Sequence, residues 1–431
     1  MNVHDSEKIA GILSESDHGT TDSIEEADVI VLNTCSIRQK AEQKFYSELG
    51  RLRTIKKINP DLKIAVAGCI AQQQGDAIFK KFPYVDFIFG PDNIDSLQTW
   101  ISSRIQSTDN RQQKTALREN PGYQAKILPM KRIGRVRAWV SIIYGCDNFC
   151  AYCVVPYTRG RERSRPCKDI YDEVVSLTGQ GFKEITLLGQ NVNSYGKNLT
   201  EKIDFSDLLR MIHEIMGLQR IRFVTSHPRD ISEKLINTMR DLPKMCKHIH
   251  LPVQSGSDKI LASMNRGYSY RDYKNKIDML KAAIPDIAVT TDIITGFPGE
   301  TDEDFRLTVN ALSEIEYDGI FAFKYSERPD TKALALPDHI DETIKSERLS
   351  HILKLQEVIT FRKNMELEGQ ELEILVEGMS ETDDKNLTGR TLTNKIVNFR
   401  GDPDDIGNIV MIKVKEARQH SLHGEKVKSR K

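Results

Sequence analysis

The stretch GCDNFCAYC (145–153) sets Cys146, Cys150 and Cys153 apart by three and then two intervening residues. A structural zinc site is tetrahedral and closed, and its cysteines come as paired knuckles that supply four ligands. These three have no fourth cysteine close by in the chain. Three thiolates on a cubic iron–sulfur cluster would leave one iron open to a ligand that is not protein. Other residues suited to a polar ligand follow at intervals: Gly189-Gln190-Asn191, Ser226-His227-Pro228, Gln254-Ser255-Gly256 and Gly296-Phe297-Pro298-Gly299-Glu300.

Each of these groups directly follows a short apolar run: AWVSIIYG (138–145), EITLLG (184–189), RIRFVT (220–225), HIHLPV (248–253) and AVTTDIIT (288–295). A sixth run is GIFAFKYS (319–326). Helical stretches near 169–179, 204–217, 231–241, 270–283 and 302–316 separate the runs, and a long one, about 341–368, closes the series. Buried strands alternating with helices predict a parallel α/β sheet. Six such units predict a partial (βα)6 barrel, whose active face is the C-terminal strand ends. A single polar group there would merely cap a strand, as Thr301 and Asp304 cap a helix start. Five in succession make one broad polar mouth.

Upstream, ADVIVLN (27–33), KIAVAG (63–68) and DFIFG (86–90) alternate with helices, which predicts an N-terminal flavodoxin-like parallel sheet over residues 1–105. Residues 106–131 are polar and aperiodic, contain Asn120-Pro121-Gly122, and read as a linker to the barrel at 132–366. Residues 367–431 change to short strands (ELEILVEG, LTGRTLTN, IVNFRGD, NIVMIKVKEAR) with Gly and Asn at the turns, the pattern of a small antiparallel β-barrel. Lys+Arg and Asp+Glu are both 62, so any argument for a nucleic-acid partner must be local. Seven cysteines, three of them within eight residues, are not a secreted disulfide framework. With no signal peptide and no apolar run near about 18 residues, the expectation is a soluble cytoplasmic protein with no membrane partner.

CxxxCxxC is the spacing of the radical S-adenosylmethionine enzymes, and the chain resembles that family. The resemblance implies a [4Fe–4S] cluster on Cys146, Cys150 and Cys153, with S-adenosyl-L-methionine chelating the open iron and yielding a 5′-deoxyadenosyl radical on reductive cleavage. Tyr152 matches an aromatic that lies near the adenine in that family. CAYCVVPYTRGRERSRP, LLGQNVNSYG, RIRFVTSHP, HLPVQSGSD, TDIITGFPGET and YSERPDT narrow the resemblance to the methylthiotransferases. So do NTCSIR around Cys35, GCIAQQ around Cys69, and LTGRT and VNFRGD in a TRAM-like C-terminal domain. The chain is most similar to the tRNA enzymes that make 2-methylthio-N6-isopentenyladenosine, over essentially its whole length. Asp330, in YSERPDT, stands where the family often has glycine.

The same resemblance implies an auxiliary [4Fe–4S] cluster on three cysteines, two of which are matched by Cys35 and Cys69. Both follow apolar strands of one sheet, at ends where α/β folds bind ligands. The family's first cysteine lies in a GCQMN-like motif. This chain opens MNVHDSEKIAGIL, which resembles the sequence directly after it, so the expectation is a longer gene upstream of Met1. Cys167 and Cys246 read as packing or surface residues. Gln190, Asn191, Ser226, Gln254, Asp292 and Gly296 are cofactor-binding candidates by position on strand ends.

The implied reaction removes hydrogen from C2 of isopentenyladenosine beside the anticodon and couples a methylthio group there. One S-adenosylmethionine donates the methyl and a second supplies the radical. A purine C2–H is neither acidic nor easily displaced, so acid–base catalysis would not serve. RNA contacts are expected from Arg159, Arg161, Arg163 and Arg165 after the cysteine loop. They are also expected from Lys426 and Lys428 in the basic stretch 411–431, where seven Lys/Arg face Glu416 and Glu425. From charge alone a solvated tail ranks ahead of a phosphate site; the resemblance reverses that order. The partners implied are a tRNA and an electron donor such as flavodoxin or ferredoxin, with the enzyme a monomer. Two alternatives stand beside this reading. One is a methylthiotransferase for threonylcarbamoyl-adenosine in tRNA or for a ribosomal protein; the other is a metal-stabilised RNA-binding module without catalysis.

Overall fold

The structure, a computed structural model, describes residues 1–34, 39–106, 114–117, 129–381, 383 and 385–427. At the N-terminal end, strands β1 (Val29–Thr34), β2 (Lys63–Gly68), β3 (Phe87–Phe89) and β4 (Lys114–Ala116) form one parallel sheet in that order. Alternate residues face opposite sides of a strand, and both sides here are covered. Ala65, Ala67, Phe87 and Phe89 meet Ile9, Ile12 and Trp100 on one side. Ile64, Val66 and Ile88 meet Phe45, Leu49 and Leu52 on the other. Strand β4 corrects the linker expected at 106–131. Its residues carry no apolar run, because as an edge strand it needs only the backbone bonds to β3, and its first two residues stay exposed.

The six expected barrel strands all form. β5 (Arg137–Ser141) is followed by a two-residue pair, β6 (Ile143–Tyr144) with β7 (Arg163–Ser164), which closes the base of the cysteine loop. β5, β8 (Glu184–Leu188) and β9 (Arg220–Phe223) pair in parallel, as do β10 (His248–His250), β11 (Ala288–Thr295) and β12 (Gly319–Lys324). Ile221 joins the two sets, donating to Lys244 O at 2.7 Å and accepting from Cys246 N at 2.9 Å. The result is one six-stranded arc with helices outside. Helices Phe205–His213, Tyr270–Ala283 and Asp302–Ile315 each start with a reciprocal capping box, the last on Thr301 and Asp304 as the sequence suggested. Asp330 is left-handed, with φ of 65°, a conformation glycine adopts freely and Asp tolerates better than most residues.

After the long helix Glu342–Met365, strands β13 (Glu371–Met379), β14 (Leu387–Thr391), β15 (Ile396–Arg400), β16 (Ile409–Ala417) and β17 (Leu422–Lys426) close a small barrel around Ile374, Phe399, Ile412 and Leu422. Two features differ from expectation. The barrel is antiparallel except for β15 and β17, which run parallel. Residues 422–426, read as part of a basic tail, form the closing strand: Leu422 enters the core while Glu425 and Lys426 face solvent. This barrel sits under the floor of the six-stranded arc, where its strands begin. Arg220, the first residue of β9, donates to Arg390 O at 2.6 Å and to the Glu373 carboxylate at 3.0 Å. Arg222 holds Glu184, the first residue of β8, at 3.2 Å, and reaches Thr391 O at 3.4 Å. No helix among the described residues is long and apolar enough to cross a membrane.

Candidate active site

The cysteine loop leaves the end of β6 at Gly145, which has φ of 69°. A side chain there would put Cβ 2.1 Å from Arg161 O, so only glycine allows the loop to lie against residues 160–161. Cys146 N then donates to Gly160 O at 3.2 Å, and Cys153 N to Cys150 O at 2.9 Å. The tip is pinned from outside. Asn265 donates to Phe149 O at 3.0 Å, and Arg229 to the Asn148 side chain at 2.6 Å. Ala151 is held through its backbone by Met264 O and by Ala333 N.

Cys146 is buried, while Cys150 and Cys153 are half-buried. Burial, and then the neighbouring Cys150, push the Cys146 thiol up to about 11 and the Cys153 thiol up to about 12. Two thiols whose ionisation burial opposes suit an iron cluster, whose positive irons would favour the thiolate form. Among the described residues no three His, Cys, Asp or Glu side chains form a group that could hold a single metal ion.

The expected polar mouth forms beside the loop. The ends of β8, β9, β10 and β11 are stitched in order: Val192 N donates to Thr225 O at 3.0 Å, Ser226 N to His250 O at 3.3 Å, and Gln254 N to Asp292 O at 2.9 Å. Thr225 and Gln254 are both left-handed, with φ of 72° and 71°. For residues with a Cβ that costs on the order of 1–3 kcal/mol each, a strain that collects at ligand sites. Several buried polar atoms here have no partner: Asn191 Oδ1, Ser226 Oγ, His227 Nε2 and Gln254 Oε1. Buried polar atoms are ordinarily paired, so a row of orphans around one mouth is what a polar ligand would satisfy. Asn191 also donates to Asp230 at 2.7 Å. Gln190 is half-buried beside it. The Asp292 carboxylate lies 3.3 Å from His250 Nε2. Gly296, with φ of 70°, donates its N–H to the buried Glu300 carboxylate at 2.7 Å.

Arg266 was not apparent from sequence. It is 3% exposed, and its guanidinium reaches Cys150 Sγ at 3.2 Å and the Tyr152 hydroxyl at 3.3 Å. His227 was visible only as part of a polar motif. Burial, then the Arg266, Arg229 and Lys197 cations, push its imidazole down to about 2, so it is neutral at ordinary pH.

The arginines after the loop separate by burial. Arg159 is buried and paired to Asp5 at 2.7 Å, with the Cys69 side chain close by. Arg165 is buried against Glu173 and Ser141 O, both at 2.7 Å. Arg163 is half-buried on Asp92 at 2.8 Å. Only Arg161 stands open, 64% exposed on Asp147. Arg159 therefore ties the N-terminal region to the barrel, Arg165 is held within the barrel, and both are out of reach of a phosphate, which corrects the RNA-contact expectation for these two. Lys426 is exposed and paired with Asp405. Lys428 and Cys35 lie outside the described residues. Cys69 is buried at the first turn of helix Cys69–Gln74, directly after β2. Cys246 is buried near Glu184 and Cys167 is half-buried, both consistent with packing.

Residues 140–312 match the family described as the Radical SAM superfamily, residues 1–90 the Uncharacterized protein family UPF0004, and residues 366–427 the TRAM domain. Among solved structures, the radical S-adenosylmethionine methyltransferase TsrM of Kitasatospora setae superposes with a TM-score of 0.54 at 17% identity, over 71% of this chain and 65% of that one. The cobalamin-dependent radical enzyme OxsB superposes with a TM-score of 0.51 at 14% identity, over 83% of this chain and 53% of that one. At such identities the likeness is one of fold. Fold and cysteine loop together define a radical S-adenosylmethionine protein. Relatives narrow the class. A tRNA-2-methylthio-N(6)-dimethylallyladenosine synthase of Thermodesulfovibrio yellowstonii is 51% identical over 99% of this chain and 96% of its own length. Those of Syntrophus aciditrophicus and Thermoanaerobacter sp. are 50% and 47% identical, each over 99% of this chain. The chain belongs to the tRNA-2-methylthio-N(6)-dimethylallyladenosine synthase family.

Proposed function

We propose that this chain is a tRNA-modifying enzyme that methylthiolates C2 of N6-isopentenyladenosine beside the anticodon, with S-adenosyl-L-methionine as methyl donor and radical source. The observation that carries this is the three-thiol loop opening onto a mouth ringed by unpartnered buried polar groups, in a chain of this family. Cys146, Cys150 and Cys153 would hold a [4Fe–4S] cluster, which when bound supplies the electron that cleaves S-adenosylmethionine. Tyr152 offers an aromatic wall beside the loop. Asn191, Ser226 and Gln254 present lone pairs and hydroxyl donors to a polar cofactor, and Asp292 offers a carboxylate for hydroxyl groups. Gly296 brings backbone to the mouth without a side chain. Gln190 completes the rim. Cys69, with Cys35, would serve an auxiliary cluster in the N-terminal sheet.

Outside the mouth, Arg161, the half-buried Arg163, Lys426 and Lys428 are the remaining candidates for phosphate contact. A flavodoxin or ferredoxin would deliver the electron, and we place the enzyme in the cytoplasm as a monomer. Anaerobic reconstitution with iron and sulfide tests the site. Replacing Cys146, Cys150 and Cys153 by Ala should remove about four irons per chain and abolish 5′-deoxyadenosine formation. Zinc in place of iron, or iron content unchanged by the triple replacement, would sink the reading.

A further inference from the structure

Among the described residues, the arginines buried deepest have carboxylate partners, with one exception. Arg159 holds Asp5, Arg165 holds Glu173, Arg220 holds Glu373, Arg222 holds Glu184 and Arg348 holds Glu300. Arg266 is as deeply buried, and among the described residues it pairs with no Asp or Glu. Its donors are nonetheless fixed. Nε donates to the Tyr268 hydroxyl at 2.9 Å, Nη2 to Pro252 O at 2.9 Å, and Nη1 to Cys150 Sγ at 3.2 Å. Tyr268 is itself anchored, donating to Val253 O at 3.1 Å. A buried charge without a counter-ion is costly, and the anion within reach is the sulfur of Cys150.

We propose that Arg266 is the counter-ion of the Cys150 thiolate, and hence a positioning residue that raises the reduction potential of the cluster held by Cys146, Cys150 and Cys153. This rests on the cluster reading given above. Cluster potentials respond to hydrogen bonds at sulfur and to local charge. Reduction adds one electron and no proton, so a fixed cation 3.2 Å from a ligand sulfur favours the reduced form. The guanidinium also fixes the sulfur's direction, because its plane is held from two other sides.

The test uses the full chain, reconstituted anaerobically and free of S-adenosylmethionine, as wild type, Arg266→Lys and Arg266→Gln. Iron per chain is counted and the midpoint potential is read by electron paramagnetic resonance during titration with dithionite and mediators. The expected result is equal iron content, a more negative midpoint for Arg266→Gln, and an intermediate one for Arg266→Lys, which keeps charge but loses the planar fork. Equal midpoints in all three overturn the proposal. So does an unchanged midpoint with weakened S-adenosylmethionine binding, which would make the cofactor's carboxylate the true counter-ion. Loss of iron from both variants at an unchanged melting temperature also overturns it, reducing Arg266 to a clamp on the loop. If wild-type iron does not depend on the three cysteines, the cluster reading itself has failed, a different result from any of these.

Discussion

Glu184 and Arg222 form an ion pair that is 0% and 3% exposed, at the floor where the small C-terminal barrel meets the catalytic arc. Glu184→Gln keeps the shape but leaves the Arg222 cation buried without its contacting carboxylate, only the more distant Glu377 remaining. Removing one partner of a buried pair costs about 3–5 kcal/mol. Arg222→Met costs a similar amount by taking the contacting cation from Glu184, which keeps the Cys246 thiol at 3.9 Å and only the more distant Arg390 charge. The double variant removes both charges and should lie above either single one, because no buried charge is then left without its partner. Two buried groups in contact should thus show a coupling of about 3 kcal/mol. At roughly 2–4 °C per kcal/mol for a unit of this size, each single variant should melt about 6–20 °C lower. Calorimetry measures this. Activity on tRNA well below the transition should stay near wild type, since the floor lies at the strand starts and the cysteine loop at the strand ends. Single variants within about 1 kcal/mol of wild type, or a double variant as unstable as the sum of the singles, would refute the argument.

His227 is held neutral down to about pH 2 by burial and the Arg266, Arg229 and Lys197 cations, whereas an unfolded histidine takes a proton near 6.5. Between those values the unfolded state binds the extra proton, so stability is full above 6.5 and is lost progressively as pH falls below it; melting curves from pH 8 to 5 should show a steeper decline in wild type than in His227→Gln. Gly296→Ala would place Cβ 2.3 Å from Lys345 Cγ at φ of 70° and should destabilise by about 1–3 kcal/mol, read as a lowered melting temperature with weaker S-adenosylmethionine binding. Arg161→Ala should lower the salt slope of tRNA binding by about 0.7–0.9, measured by titration across salt concentrations. Arg159→Met should leave that slope unchanged and instead lower the melting temperature, because its partner Asp5 is buried.

Much of this protein was legible in its sequence because the signals are local. The gaps between Cys146, Cys150 and Cys153 are covalent facts of one short loop. The six barrel strands announce themselves as apolar runs because both faces are covered. The polar residues follow those runs directly, so strand direction alone gathers them at one end. The Thr301–Asp304 cap needs only three residues of separation. Edge elements were harder to see. β4 and β17 close their sheets with little apolar content, since one is held by backbone bonds and the other buries Leu422 while Glu425 and Lys426 face water.

Tertiary structure alone decided what the charged residues do. Arg159, Arg161, Arg163 and Arg165 look alike in sequence as one basic cluster. Whether a side chain meets a carboxylate or solvent depends on residues far along the chain: Arg159 finds Asp5 across 154 positions. Arg266 reaches Cys150 across 116. No periodicity encodes such a meeting, because it arises only when two segments distant in the chain dock side by side. The sequence by itself determined which chemistry the loop can support and which strand ends surround it. The fold determined which cations stay open to solvent and which one stands, without a carboxylate among the described residues, at the Cys150 sulfur.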